Sequence, residues 1–203
     1  MQIILVRHGE TAGNADRVLQ RADTPLNVLG LMQAEHLAAR LAELPVERVL
    51  VSDLLRAQMT AAAICARFGI AAVETPLLAE RSFGDLRGTP YDLLPGDPFA
   101  PDFTPANGES WDAFHVRVDE AFRWLTEMVG GVHGSLVVVT HGLVCRAFAQ
   151  RHLQLQAEHV LPARFANAGV TVFEPQPPHA VRLLDCTAHL PAAAPPRTHG
   201  GTA

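Results

Sequence analysis

The sequence contains no lysine, and its 16 basic residues are all arginine. Every permanent positive charge that could bind a substrate is therefore a guanidinium group, which favours paired hydrogen bonds to phosphate or carboxylate oxygens. The formal net charge is -5, so no excess of basic residues is available for nucleic acid or for an anionic membrane surface. The composition argues against both kinds of partner.

Cysteine is also scarce, and the three cysteines are far apart in the chain. Cys65, Cys145 and Cys186 lie in apolar surroundings, which is typical of buried thiols in a reducing compartment rather than of a disulfide framework. No apolar run approaches the roughly 18 residues of a membrane-spanning helix, and the first strand begins without a charged leader. We therefore expect a cytoplasmic protein.

The length of 203 residues and a hydrophobic content of 48% allow one sizeable core. We expect a single domain over residues 1–190 and a disordered tail at 191–203, which is too poor in apolar side chains to order itself. Apolar strands alternate with amphipathic helices along the chain, which predicts helices on both faces of a sheet. The expected fold class is three-layer α/β/α with a mostly parallel central sheet.

Sequence patterns also predict the positions of these elements. A helix is expected to begin at a cap formed by Ser52 or Asp53 and to end before Gly69. Residues 11–26 are expected to form a polar loop. The predicted strands are 2–6, 48–51, 71–74, 136–140, 170–173 and 181–184, and the other predicted helices are about 29–44 and 111–129.

Residues 80–110 lack helical or strand periodicity and are rich in proline, glycine and aspartate. So long an irregular stretch within a compact domain is typical of a functional lid, and we expect a lid insertion here. Its aromatic residues Tyr91, Phe99 and Phe103 either line a substrate pocket or pack the lid, and packing is favoured. Its carboxylates outnumber its arginines, which favours small substrates with one phosphate.

Two histidines follow apolar strands, one near the start of the chain and one late in it. His8 lies in the run Arg7–Thr11, and His141 lies in the run Thr140–Gly142. If these strands are parallel neighbours, both histidines meet at the edge where open α/β sheets bind ligands. A helix N-terminus there offers free N–H groups to an anion, and a glycine beside each histidine permits close approach of a ligand. The pattern predicts chemistry on a phosphoryl group.

Two further blocks, Ser52–Ala57 and Glu80–Gly84, lie between these runs. In this order the four blocks resemble the histidine phosphatase superfamily, and its phosphoglycerate mutase-like branch, from the first strand to about Gly169. One Arg-His-Gly run would be a weak signal, but four ordered blocks are highly specific. The resemblance implies a phosphoglycerate mutase-like fold and phosphoryl transfer through a histidine. The family includes cofactor-dependent mutases, but for this chain we expect no metal ion and no cofactor.

The resemblance implies a role for each matching residue. His8 would be the nucleophile, because a neutral imidazole can attack phosphorus and form a phosphohistidine that water then hydrolyses. Its other ring nitrogen should then donate to a backbone carbonyl. Donors around the equatorial phosphoryl oxygens would stabilise the transition state. The residues expected to bind the phosphoryl group are Arg7, Arg56 and His141, with Asn14 and the backbone of Gly142.

An alcohol leaving group needs a proton, and three carboxyl groups are candidates for the general acid. Glu80 stands where the mutase-like branch has its catalytic glutamate, so the resemblance favours it. The role requires burial or a neighbouring phosphate to raise its pKa from about 4.3. Glu10 is expected to hold its loop together, and Asp85 is expected to lie on the polar surface.

The same residues would also suit two uses other than phosphoryl transfer. His8, His141 and Glu80 could be metal ligands, but arginines nearby would repel a cation. A non-catalytic phosphate-binding protein is disfavoured because the nucleophile, the arginines and the acid are all present.

The choice between phosphatase and mutase depends on the lid. The mutases carry a lysine and paired arginines that bind the substrate carboxylate, whereas this chain has no lysine and no arginine pair between Glu80 and Trp111. Arg81 is the expected lid contact for a remote part of the substrate. We therefore predict hydrolysis of a small-molecule phosphomonoester, with a phosphoglycerate mutase as the alternative, and leave a homodimer open.

Overall fold

The computed structural model describes residues 1–191, so the predicted disordered tail lies outside the described residues except for residue 191. Within this range the strands are β1 Gln2–Arg7, β2 Val46–Ser52, β3 Ala72–Thr75, β4 Ser135–Thr140, β5 Val170–Phe173 and β6 Val181–Cys186. The α-helices are α1 Ala12–Ala15, α2 Val28–Leu41, α3 Leu55–Phe68, α4 Trp111–Met128 and α5 Gly142–Arg151. Single turns of 3-10 helix lie at Pro76–Leu78, Gly84–Leu86 and Tyr91–Leu93.

The six strands described form one sheet in the order β3-β2-β4-β1-β5-β6. β3, β2, β4 and β1 are parallel neighbours, and β5 and β6 add an antiparallel edge. The register pairs Arg7 with Thr140 at the ends of β1 and β4. Because parallel strands end at the same edge of a sheet, the chain leaves β1, β2 and β4 on one side of the molecule.

Helices cover both faces of the sheet, as the sequence predicted. On one face, α4 and α5 pack over alternate strand residues such as Leu5 and Val138. On the other face, α2 and α3 pack over the intervening residues such as Val6 and Val139. All six residues of β4 are buried, which explains its continuous apolar and β-branched sequence. The three-layer α/β/α fold class with a mostly parallel sheet is confirmed.

Element ends differ from the predictions by up to three residues, and two local predictions are wrong. Helix α2 ends at Leu41 because the residue before Pro45 is disfavoured in helical conformation. The predicted loop at 11–26 contains the short helix α1, which Thr11 caps. The N-cap of α3 is Leu54 without a side-chain hydrogen bond, rather than Ser52 or Asp53. Gly69 ends α3 in left-handed conformation at φ 66°, as expected.

The described residues add two observations on composition. The three cysteines are free thiols, of which Cys145 is buried and the other two are half-buried. No helix between residues 1 and 191 is long and apolar enough to cross a membrane.

Candidate active site

His8 follows β1 directly and lies beside the end of β4. Its backbone N–H donates to Thr140 O at 2.9 Å. The rings of His8 and His141 have centroids 5.1 Å apart, and the two residues are 2% and 0% exposed. The parallel register therefore brings together the two histidines that the sequence placed at this edge.

The imidazole of His8 is held in one tautomer. Its Nδ1 lies 2.7 Å from Gly9 O, and a carbonyl oxygen can only accept, so Nδ1 carries the proton. Nε2 then has a lone pair, to which Arg56 Nε donates at 3.3 Å. Burial, followed by Arg56 and Arg7, holds the pKa of His8 well below its usual 6.5. His8 is therefore a neutral imidazole at neutral pH.

The glycine after His8 is required by packing rather than by a ligand. A Cβ on Gly9 would lie 2.6 Å from the backbone oxygen of Gly30 in α2, so this loop can approach the helix only without a side chain. Gly142 differs, since a Cβ there would lie 3.5 Å from Arg7 Nε, at the wall of a cavity. The expectation of open space for a ligand thus fits Gly142 and not Gly9.

Arg7 and Arg56 are both inside the protein, and each is tethered by a carbonyl. Arg7 Nη1 donates to Phe165 O, while its Nε is buried and has no hydrogen-bond partner within residues 1–191. Arg56 Nη1 donates to Arg21 O at 3.0 Å, and Arg56 is 3% exposed. Burial lowers the pKa of Arg56 to about 10, which still leaves it charged at neutral pH. One buried cation, Arg56, and one half-buried cation, Arg7, therefore lie beside the His8 ring.

His141 is the N-cap residue of α5, and its ring contacts the end of β2. Its Nε2 lies 2.8 Å from Ser52 Oγ, and its Nδ1 is buried without a partner in the described chain. Ser52 Oγ accepts from Leu54 N at 3.2 Å, and the competing acceptor for its proton, on Asp53, is farther away at 3.4 Å. The serine hydroxyl is thus placed to donate to Nε2, which puts the imidazole proton on Nδ1.

The charge state of His141 follows from its surroundings. Burial, followed by Arg56, His8 and Arg7, holds the pKa of His141 well below its usual 6.5. Without a bound anion the ring is therefore neutral. Ser52 was predicted only as a possible helix cap, and its contact with His141 was not recognised because the two residues are far apart in the sequence.

Glu80 faces the cavity that contains His8 and is held at both carboxylate oxygens. Oε1 accepts from Arg81 N at 3.0 Å, and Oε2 accepts from Leu143 N at 3.1 Å in the first turn of α5. Burial raises the pKa of Glu80, although these two N–H groups and then Arg56 and Arg7 oppose the shift. The direction of this pKa shift is the one that a general acid needs.

Asn14 lies in α1, at the other side of the same cavity. Its Oδ1 accepts from Thr11 N at 3.2 Å and from Asn167 Nδ2 at 3.1 Å. Asn167 Nδ2 also lies 3.0 Å from His8 O, so it ties α1 to the loop after β1. Because its oxygen is occupied, the Asn14 side chain has its NH₂ group to offer to a ligand.

The two remaining acidic candidates have structural contacts. Glu10 Oε1 accepts from Asn27 Nδ2 at 2.9 Å, which joins its loop to the start of α2. Asp85 accepts from Asn107 Nδ2 at 2.9 Å, in an exposed contact. Both contacts match the expectations for these residues, and neither residue lines the cavity beside His8.

Arg81 is held by main-chain carbonyls of the 80–110 segment. Its guanidinium is 1% exposed and donates to the carbonyl oxygens of Glu109 at 3.0 Å, Pro98 at 2.9 Å and Phe103 at 2.6 Å. It also lies 4.0 Å from the centroid of the Trp111 ring. All three nitrogens thus bind the 80–110 segment itself. Arg81 holds this segment in shape and also lines the cavity beside His8, so its predicted contact with substrate stays a prediction.

Two neighbouring cavities lie at this edge of the sheet. We call the first the histidine pocket; it has a volume of about 90 Å³, and its lining includes Arg7, His8, Arg56 and Glu80, together with Arg81 and Arg87. We call the second the arginine pocket; it has a volume of about 140 Å³ and is lined by Arg17, Tyr91, Arg146 and Arg164 among others.

Two aromatic residues of the 80–110 segment lie between the two cavities. Tyr91 and Phe99 line both, and their ring centroids are 5.9 Å apart. The favoured prediction of packing alone is therefore incomplete, since these two rings pack together and also face the pockets. Among residues 1–191, no group of three or more His, Cys, Asp and Glu side chains is arranged to hold a metal ion.

Sequence comparison finds relatives that cover most of this chain. Phosphoglycerate mutase-like protein 4 of Arabidopsis thaliana is 38% identical over 165 residues, which are 74% of this chain and 70% of the relative. A probable phosphoglycerate mutase of Yersinia pestis is 33% identical over 189 residues, which are 84% and 83% of the two chains.

Solved structures show the same architecture. The alpha-ribazole phosphatase of Shigella flexneri has a TM-score of 0.78 at 28% identity and covers 92% of this chain and 96% of its own. A mycobacterial glucosyl-3-phosphoglycerate phosphatase has a TM-score of 0.71 at 27% identity, with 85% and 89% covered. The family model of the histidine phosphatase superfamily (branch 1) matches residues 3–184. Because this model matches nearly the whole chain, the chain belongs to branch 1 of the histidine phosphatase superfamily.

Proposed function

We propose that this chain is a metal-independent phosphatase that hydrolyses small phosphomonoesters through a phosphohistidine on His8, with Glu80 as general acid. One observation carries the proposal: the Nδ1–H of His8 donates to Gly9 O, which leaves Nε2 as a neutral nucleophile in a pocket lined by the buried Arg56 and the half-buried Arg7. Membership of a family of phosphoryl-transfer enzymes supports it.

Binding begins with the buried donors that lack partners. Phosphoryl oxygens accept from Arg7 Nε and from His141 Nδ1, both of which are buried without a partner in the described chain. Arg56, which lies 3.3 Å from His8 Nε2, shifts its donation from that nitrogen to a phosphoryl oxygen. The amide of Asn14 and the first N–H groups of α5 at Gly142 add further donors. The nucleophilic lone pair is thereby freed when the substrate binds.

In the first chemical step, His8 Nε2 forms a bond to phosphorus while the bond from phosphorus to the leaving oxygen breaks. Glu80 gives its proton to that oxygen, and its raised pKa keeps a protonated fraction available. The hydrogen bond to Gly9 O stabilises the positive charge that develops on the imidazole. Arg7 and Arg56 stabilise the negative charge on the equatorial oxygens.

In the second step, water attacks the phosphohistidine. Glu80, now a carboxylate, accepts a proton from the water as its oxygen bonds to phosphorus, and the bond between phosphorus and Nε2 breaks. Inorganic phosphate leaves, His8 is again neutral, and Glu80 is again protonated. The two steps together consume one water molecule for each ester hydrolysed.

A mutase is the second candidate, because curated relatives at 38% and 33% identity carry phosphoglycerate mutase names. Such an enzyme returns the phosphoryl group from His8 to a second position of the substrate instead of to water. Hydrolysis is favoured because Arg81, the lid cation considered for substrate binding, is committed to main-chain carbonyls. A cytoplasmic location and a homodimer stay predictions.

The test is phosphate release from a panel of small phosphomonoesters, including an aryl phosphate, in the presence of a chelator. We expect chelator-resistant turnover that His8→Ala abolishes. His115→Ala, on α4 and away from the two pockets, is the matched control and should retain turnover. Near-native turnover by His8→Ala would overturn the mechanism. Interconversion of 2- and 3-phosphoglycerate without net phosphate release would instead identify a mutase.

A further inference from the structure

We propose that the arginine pocket binds a second anionic group of the substrate, either a carboxylate or a second phosphate. The inference rests on the proposed phosphatase function and narrows its substrate class to phosphomonoesters that carry such a group. It revises the sequence-based expectation of small substrates with one phosphate, which followed from the excess of carboxylates in the 80–110 segment.

The two pockets are continuous along one wall. Arg7, Asn14, Tyr91, Phe99 and Leu143 line both of them. This shared wall gives the remaining atoms of a phosphomonoester bound at His8 a direct route into the arginine pocket. The arginine pocket is the larger of the two, at about 140 Å³ compared with about 90 Å³.

Charge in the arginine pocket is of one sign. Arg17, Arg146 and Arg164 line it beyond Arg7, and no carboxylate of the described residues does so. Ion pairs form elsewhere in the described chain, but none involves these three arginines. The three positive charges in this concave site repel one another, and a bound anion would be attracted by all three guanidinium groups.

Two of these arginines have contacts other than carboxylates, since Arg146 donates to main-chain carbonyls and the Arg17 guanidinium lies over an aromatic ring. Arg146, in the second turn of α5, donates from Nη1 to Pro162 O at 2.9 Å and to Ala163 O at 3.3 Å. Arg17 O accepts from Tyr91 N at 2.9 Å, and the Arg17 guanidinium lies 5.8 Å from the centroid of the Tyr91 ring. Arg146 therefore braces the segment that carries Arg164, while Tyr91 is tied to Arg17.

The acidic residues of the 80–110 segment lie away from this pocket. Five of them suggested an acidic lid in the sequence, yet none lines either the arginine pocket or the histidine pocket. Two are engaged elsewhere, since Glu109 pairs with Arg117 at 2.8 Å and Asp97 accepts from Phe99 N at 2.9 Å. The net charge of the segment is therefore a poor guide to the charge that a substrate meets.

The chemistry of the lining selects an anion with several acceptor oxygens. Guanidinium groups bind carboxylate and phosphate through paired N–H donors. Three guanidinium groups offer more donors than the single oxygen of a neutral hydroxyl could accept. Tyr91 and Phe99 provide aromatic faces between the two anionic ends. A ligand fits this lining if a flat or carbon-rich link, placed against the aromatic faces, joins a phosphate ester to a second anion.

The test uses three phenyl phosphates whose 4-position carries a hydroxymethyl group, a carboxylate or a second phosphate. The measured quantity is the ratio of kcat/KM for each anionic substrate to kcat/KM for the hydroxymethyl substrate. Comparing this ratio between variants cancels the intrinsic reactivity of the leaving groups. The variants are Arg164→Gln and Arg146→Gln, and Arg123→Gln on the exposed side of α4 is the matched control.

We expect each pocket variant to lower the ratio about tenfold for at least one of the two anions, since a hydrogen bond to a charged group contributes about that factor. Arg123→Gln should leave the ratio unchanged. The anionic substrate whose kcat/KM ratio falls more identifies the second anion as a carboxylate or a phosphate. Since Arg146 also braces its segment, Arg164→Gln is the cleaner variant. An unchanged ratio in both pocket variants would overturn the inference.

Failure of the phosphatase proposal is separable from failure of this inference. Calorimetric binding of the same three compounds to His8→Ala protein requires no turnover. One outcome would support the arginine pocket without the hydrolytic mechanism. In that outcome the native chain hydrolyses none of the compounds, and adding Arg164→Gln to the His8→Ala protein weakens binding only of the two compounds that carry a second anion. Equal binding of all three compounds by both proteins would refute the pocket.

Discussion

The histidine pocket and the arginine pocket are adjacent, but they are built differently. Arg7 and Arg56 in the histidine pocket are tethered by main-chain carbonyls, and burial lowers their pKa. Arg17 and Arg164 in the arginine pocket are exposed at the protein surface. One site therefore holds its charges within the core, and the other presents them to solvent.

This difference separates the requirements of reaction from those of recognition. Stabilising a transition state requires donors that are already fixed in a site of low dielectric, where each is worth more than in water. Recognising a remote anion tolerates mobile side chains and a screened interaction. Variants of the histidine pocket should therefore slow all substrates alike, whereas variants of the arginine pocket should change the preference among them.

Removing an arginine from the histidine pocket should have the largest effect. We expect Arg56→Ala to lower kcat about 10³-fold, as expected for loss of a buried donor to the reacting oxygens. The loss should be the same for substrates with and without a second anion. Arg67→Ala, an exposed position of the same helix, is the control for steady-state kinetics. A loss confined to substrates with a second anion would erase the distinction between the pockets.

Removing the general acid should have the next largest effect. We expect Glu80→Gln to lower kcat for alkyl phosphates about 100-fold and for activated aryl phosphates much less, because their leaving groups need little protonation. Burial raises the pKa of Glu80, so native activity on alkyl phosphates should fall as the pH rises through that pKa. The variant should lack this alkaline decline.

The pH profiles of both substrate classes measure this effect. Glu120→Gln, exposed on α4, should leave the profiles unchanged. Equal losses on alkyl and aryl phosphates would assign the acid to another residue.

The contact between Ser52 and His141 should contribute less. We expect Ser52→Ala to lower kcat about tenfold, because the loss of one hydrogen bond of about 1–1.5 kcal/mol frees the imidazole tautomer. Nitrogen-15 NMR of the His141 ring should show the proton on Nδ1 in the native chain and a mixture of tautomers in the variant. Ser135→Ala, a buried hydroxyl at the opposite end of β4, is the control. An unchanged ring spectrum would remove Ser52 from the site.

The smallest effect on activity is expected from Arg81, because main-chain carbonyls of the 80–110 segment engage its guanidinium. Arg81→Met should instead lower the free energy of unfolding by about 2 kcal/mol, because three carbonyl oxygens lose their donor. Denaturant titration measures this loss, and Arg182→Met, an exposed position, is the control. Unchanged stability with a raised KM would support the substrate-binding role predicted for Arg81.

Much of the histidine pocket was predictable because its residues follow strands. His8 and His141 are the residues directly after β1 and β4, and Glu80 lies in an ordered motif. Parallel strands end at one edge, so position in the chain translates into proximity in space. Asn14 in helix α1 and the loop residue Asn167 come together for a different reason, since a hydrogen bond of 3.1 Å joins their side chains and neither residue follows a parallel strand.

The arginine pocket was not predictable on the same terms. Arg17, Arg146 and Arg164 come from a loop after α1, from α5 and from the segment before Phe165, and no motif spacing links them. Arg81 shows that a place in a motif also does not fix the contacts of a side chain. Its place in a motif suggested a ligand, but three nearby carbonyls engage its guanidinium instead.

The sequence by itself determined the fold class, the family resemblance and the identity of the groups at the sheet edge, because apolar periodicity and short motifs are local properties of the chain. Only the tertiary structure decided the tautomer of His8, the partner of His141 and the use of each arginine. These depend on which carbonyl, hydroxyl or carboxylate lies within about 3 Å of a side chain. Such contacts join residues from distant parts of the chain, and only packing of the whole chain places them.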